Sequence, residues 1–112
     1  MKALVVRKEW LDLYFSGDKT LEIRSANTNI RGKIKLIQAG SGLVVGGCYL
    51  VDSFKFFPIF SDASFNQHRV SSDILNRFKY KTPYAWQMER IKKYKRPQKY
   101  KHPPGAVVWV NL

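Results

Sequence analysis

The sequence predicts an α+β domain, a small and mostly closed β-barrel of five to six short strands flanked by two or three helices. Three observations carry that expectation. Short segments alternate apolar and polar residues, as half-buried strands do. One stretch near the start changes to a helical period. A longer β-rich run is interrupted by paired glycines, the mark of a bulge or a barrel corner. At 112 residues the chain is read as a single domain, 1–112.

Residues 2–7 (KALVVR) form a first strand with β-branched residues at its centre. In KEWLDLYFSG the period changes: Trp10, Leu13 and Tyr14 share a face, with Leu11 and Phe15 beside it. Gly17 stands where a left-handed residue would end that helix, giving a helix over 8–16. TLEIR then alternates, with Leu21 and Ile23 toward the core and Thr20, Glu22 and Arg24 on the outer face. SANTNIRG is a polar loop, and KIKLIQAG alternates again. The run VVGGCYLVDSFKFF is one long strand kinked at Gly46 and Gly47 and ended by Pro58. Between 61 and 80, Ile74, Leu75 and Phe78 at helical spacing fit one or two short helices, with Ser61, Ser71 and Ser72 as caps. Pro83 and YAWQMERI return to strand, and after the turn HPPG the segment AVVWVNL closes the domain as a buried strand.

Charge is the first functional signal. Twenty Lys and Arg against eight Asp and Glu give a net charge of +12. The excess is uneven: residues 76–112 hold 10 cations and only Glu89, whereas 1–75 hold 10 cations and 7 acids. Most charge runs are only solvated faces. This one also contains Tyr80, Tyr84, Trp86, Tyr94, Tyr100 and Trp109, and rings among cations suit bases that stack while phosphates meet Lys and Arg. The expected partner is a nucleic acid, with no obligate protein partner. A lone Cys48, no signal peptide and no membrane-length apolar run lead to the expectation of a soluble cytoplasmic protein.

Several chemistries are set aside. AGSGLVVGG has Val45 where a dinucleotide fingerprint needs Gly, and it lacks the Lys of a phosphate loop. His68, His102 and Cys48 are too few and too scattered for a metal site, so neither metal nor cofactor is expected. GDKTLEIR is different. Glu22 and Arg24 on one strand face lie roughly 7 Å apart, within reach of each other or of a shared ligand. As a surface ion pair they would contribute at most about 1 kcal/mol. As a cleft wall, Glu22 would accept protons or base N–H groups while Lys19 and Arg24 hold phosphate or a carbonyl.

The spacing Gly-x-Lys-x-x-Glu-x-Arg, met as Gly17, Lys19, Glu22 and Arg24, resembles the signature of the ASCH domain family, relatives of the PUA-like fold. Trp10, SANTNIRGKIKLIQAG, YAW at 84–86 and HPPGAVVWVNL extend the resemblance over nearly the whole chain. It implies a PUA-like barrel with helices beside it and a cleft that serves RNA or modified nucleobases. Some relatives cleave single-stranded RNA; others are amidohydrolases that remove the acetyl group of N4-acetylcytidine, using a Lys, a Thr and a distant carboxylate. Lys19 and Thr20 match the start of that second pattern. Glu22 stands where it has a further Thr, and Asp62 and Asp73 are the carboxylates nearest the expected position. The candidate catalytic residues are thus Lys19, Thr20, Glu22 and Arg24. Arg31 and Lys33 are placed at the cleft mouth, Tyr84 and Trp86 as stacking faces, and Lys92, Lys93, Lys95, Arg96, Lys99 and Lys101 along the nucleic-acid backbone. Three functions follow: RNA binding with metal-free cleavage by Lys19 or Glu22, hydrolysis of a modified nucleoside, or a non-catalytic interaction module.

Overall fold

The structure, a computed structural model, describes residues 1–55, 69 and 83–112. The described elements are strand β1 (Lys2–Val6), helix α1 (Lys8–Ser16), and strands β2 (Leu21–Arg24), β3 (Gly32–Gln38), β4 (Leu43–Lys55), β5 (Tyr84–Lys99) and β6 (Trp109–Asn111). The helices expected within 61–80, the strand end at Pro58, and Asp62, His68 and Asp73 lie outside the described residues. Among the described residues there is one helix, against two or three expected.

The helix forms as its period predicts. Leu11 and Tyr14 are buried one turn apart, and Trp10 and Phe15 pack against the same core. Gly17 ends it at φ 86°, a left-handed conformation that costs a residue without Cβ little. The amides of Asp18 and Lys19 then both donate to the Leu13 carbonyl, at 2.9 and 3.2 Å. These two hydrogen bonds to one carbonyl fold the chain back over the helix end and set where Lys19 lies.

The strands form one six-stranded sheet in the order β2-β5-β4-β3-β1-β6. Only β1 and β3 pair in parallel, Leu4 opposite Leu36, with α1 and β2 in the crossover. The sheet curls rather than closing through a ladder. Its seam is bridged by side chains instead: Arg24 on β2 donates to the Val5 carbonyl of β1 at 2.8 Å. Beside it, Trp86 of β5 stacks on Trp109 of β6 with centroids 5.7 Å apart. The concave face holds the main core, including Leu4, Val6, Ile34, Leu36, Cys48, Leu50, Trp86 and Met88 with Leu11 and Tyr14 of the helix. The convex face carries a smaller cluster of Ala3, Ile37, Val44 and Val110, covered by Tyr94, Tyr100 and Ala106.

Two elements differ from the sequence expectation. Strand β5 extends to Lys99 through Pro97. The ladder steps from Gly46↔Lys93 to Val44↔Gln98, so residues 94–97 bulge past Val45 and the missing Pro97 amide breaks no pair. The last strand is shorter than AVVWVNL. Ala106 bonds back to Pro103 at 3.2 Å, so the turn continues into the segment expected to be strand, and Val107 is 75% exposed.

The paired glycines act as the sequence suggests, with register shifts on either side of Gly46 and Gly47. A Cβ on Gly46 would lie 2.5 Å from the Lys92 carbonyl oxygen and 2.8 Å from the Phe15 ring. Gly46→Ala is therefore expected to destabilise the fold by about 1–3 kcal/mol, read as a lower urea midpoint.

Candidate functional site

Three local features converge on one carboxylate. The Tyr14 hydroxyl donates to Glu22 Oε1 at 2.6 Å. Arg24 donates to Oε2 through Nε at 2.9 Å, and its Nη2 lies 2.8 Å from the same oxygen. Lys19 Nζ stands 4.0 Å from Oε1 and donates to the Leu21 carbonyl at 2.7 Å. It also lies over the rings of Trp10 and Tyr14, at 5.0 and 5.3 Å. Lys19 is 1% and Glu22 4% exposed, so this is a buried charge cluster and not a surface pair.

Glu22 and Arg24 do share a strand face, as alternation requires. The face is the reverse of the one expected. Glu22 pairs across the sheet with Trp86 and is bonded to Tyr14, both in the main core, and Arg24 Cζ lies 5.8 Å from the Trp86 ring. Leu21 and Ile23 are buried too, so β2 is covered on both faces and its alternation cannot name the inner one. The physical reason for the inversion is the helix. Tyr14 brings a hydroxyl into the core, and that hydroxyl needs a buried acceptor.

Burial shifts the cluster's titration. Loss of solvent pushes Lys19 down from its ordinary value to about 8, with Glu22 opposing and Arg24 adding to the shift. Burial raises Tyr14 well above its usual value, and the charge and hydrogen bond of Glu22 raise it further. Cys48 is pushed up to about 12 by burial and by Glu22, which keeps it an inert thiol.

A cleft of about 300 Å³ opens beside the cluster at the β1–β2 seam. Val5, Arg7, Trp10, Glu22, Ile23, Arg24, Ala39 and Val107 line it. Arg7 and Arg24 outweigh Glu22, and the Lys19 ammonium stands behind the Trp10 ring, so the cleft is electropositive. Lys19 itself does not line it.

The ASCH domain family model matches residues 4–104. The chain belongs to the ASCH domain family. Among solved structures it is similar to the ASCH protein of Zymomonas mobilis, at 16% identity and a TM-score of 0.78, over 99% of this chain and 86% of that one. A Tyr-to-Phe mutant of that protein matches at a TM-score of 0.77, also with 16% identity, over 99% of this chain and 88% of the other. No curated protein matches the sequence. The similarity to these ASCH structures is one of fold.

In this ASCH domain the remaining candidates are dispersed. Thr20 is half-buried, and its carbonyl accepts the Met88 amide at 2.9 Å. Trp86 is 2% exposed, its indole donating to the Ala26 carbonyl at 3.0 Å, so it is a core residue and offers no free stacking face. Tyr84 is half-buried against the same core. Arg31 caps its own loop, donating to the Thr28 and Ile30 carbonyls at 2.8 Å each. Lys33, Lys92, Lys93, Lys95, Arg96, Lys99 and Lys101 are exposed, and none of them lines the cleft. Arg7, Trp10 and Val107 do line it and were not legible as site residues, because two distant segments, the start of α1 and the stretch before β6, bring them together. Tyr14 carried one signal, a hydroxyl on an otherwise apolar helix face.

Two outcomes follow from the buried cluster. Glu22→Gln is expected to cost on the order of 3 kcal/mol in chemical denaturation, since it strips a buried Arg and Lys of their counter-charge. The depressed Lys19 pKa gives a pH signature: between about 8 and its ordinary value of 10.5 the unfolded chain holds a proton that the folded chain has lost. Stability should therefore rise as pH goes from 8 toward 10, by about 2–3 kcal/mol at most. It should fall again above 10, where folded Tyr14 keeps its proton and the unfolded chain does not. Lys19→Met should remove the rise while leaving the fall.

Proposed function

We propose that the protein binds single-stranded RNA and holds one nucleotide unit in the Arg7–Arg24–Trp10 cleft. The observation that carries this is the cleft itself. At about 300 Å³ it sits at the small end of ligand pockets, sized for a base or a phosphate and not for a duplex. Its two guanidiniums suit an anion or a base carbonyl, and Trp10 offers a ring face. Family membership and a strongly basic chain support the same reading.

The geometry supports binding better than strand cleavage by Glu22. Both its oxygens are engaged, by Tyr14 and by Arg24, so it would have to break a charge-assisted bond before accepting a ribose proton. A second reading rests on Lys19. With its pKa near 8, roughly a tenth of it is neutral at pH 7, but it is buried and outside the cleft lining, so attack on an amide such as that of N4-acetylcytidine would first require it to be uncovered.

Fluorescence anisotropy with a labelled single-stranded oligonucleotide tests the binding reading. Contact with about five phosphates predicts a slope near −3.5 in log affinity against log salt. Arg7→Ser is expected to weaken binding about tenfold with little change in stability, since Arg7 is exposed. A salt-independent signal, or none, would end the RNA reading. Acetate release from N4-acetylcytidine that is lost in Lys19→Met would instead establish the second.

A further inference from the structure

The convex face of the sheet holds a charged surface that the cleft does not use. Pairing and packing define which side chains share it. On β3, Ile34 and Leu36 enter the main core, so Lys33 and Lys35 face outward. On β4, Cys48 and Leu50 point inward, leaving Gly47, Tyr49 and Val51 outside. On β5, Arg90 lies over the Tyr49 ring at 5.5 Å, Gln98 is bonded to Lys35 at 3.4 Å, and the Tyr94 hydroxyl would be 3.2 Å from a Cβ on Gly47. These contacts, with the Gly47↔Lys92 pair, put Arg90, Lys92, Tyr94 and Gln98 on the same side. Lys93 is on the opposite side, 5.9 Å from Phe15 of the helix. The basic run of the C-terminal third is thus divided between two faces of the sheet.

The register adds shape to the charge. Lys35, Gly47 and Lys92 form one row across three strands. Gly47 has no side chain, and the end of the Tyr94 ring lies over it, between two cations roughly 10 Å apart at the spacing of two strand intervals. The neighbouring row is Lys33, Tyr49 and Glu89, where the exposed Tyr49 ring carries the Arg90 guanidinium. Glu89 is thus an acid on the face itself, and Asp52 nearby is within 3.9 Å of Arg31. Cations facing one another across a sheet repel, and a bound polyanion relieves that repulsion.

We infer that the convex face of β3, β4 and β5 is a second RNA-contacting surface, in which Tyr49 and Arg90 stack a base while Lys33, Lys35 and Lys92 meet phosphates. It rests on the RNA reading of the preceding section and adds a platform separate from the cleft. A sheet bearing a ring among cations is physically suited to single strands, whose unstacked bases can lie flat on it. Duplex RNA would hide its bases and leave the ring unused.

The test compares variants by anisotropy with a labelled twelve-nucleotide oligouridylate across a salt series, melting temperature confirming the fold of each. Lys35→Ser combined with Lys92→Ser should shrink the salt slope by about 1.4, the share of two single-strand phosphates. Tyr49→Ala should weaken binding five- to a hundredfold with the slope unchanged. If the unaltered protein binds and Arg7→Ser weakens it, while both face variants behave as the unaltered protein, the platform is refuted and the cleft reading stands. If the unaltered protein does not bind RNA, both fall. Equal competition by polyglutamate, charge for charge, would mark an acidic protein surface as the partner and overturn the proposal.

Discussion

The Glu22 carboxylate is the constraint on which the rest of this domain depends. One oxygen is held by Tyr14 of the helix, the other by Arg24, and Arg24 in turn reaches the Val5 carbonyl across the seam of the curled sheet. Strands β1 and β2 share no ladder, so this chain of hydrogen bonds does what backbone pairing would do in a closed barrel. A buried ion pair of this kind adds little net stability over a hydrophobic contact of the same volume. What it supplies is geometry: it determines how far the seam opens.

That opening is also the cleft. Arg24 and Glu22 are at once the clasp and part of the lining, so a substitution at either would disturb the seam and the cleft together. Arg7 and Trp10 differ. They line the cleft without belonging to the clasp, but Trp10 also packs against the core, so only the exposed Arg7 can be changed with the fold left intact. Lys19 occupies a third position. It lies behind the Trp10 ring, contributes positive potential to the cleft, and is held by the Leu21 carbonyl at 2.7 Å.

The cations divide in a related way. In the linear sequence the C-terminal third is a single basic run. Once it becomes a bulged strand, alternation sends Lys92 to the convex face and Lys93 toward the helix. The bulge around residues 94–97 lets Pro97 sit within β5, and on its far side Gln98 still meets Lys35. The cations expected to act together are thus split between two faces, and Trp86, expected as a stacking face, is core.

Much of the fold was legible from local rules. The period change at Lys8, the glycine at 17, the alternation of KIKLIQ and the kink at Gly46–Gly47 all depend on near neighbours in the chain, and each appears where the pattern places it. The family signature was legible for the same reason, since Gly17, Lys19, Glu22 and Arg24 fall within one turn-and-strand unit. Which face of β2 turns inward was not. Period-two patterning separates two sides but names the inner one only when a single side is buried, and here both are. Tertiary structure alone decided that Glu22 points to the core, because its partners are Tyr14 on the packed helix, Lys19 in the turn after it and Arg24 on its own strand. It alone assembled Arg7, Trp10 and Val107 into one cleft, since no local rule relates residues brought together by the curl of a sheet.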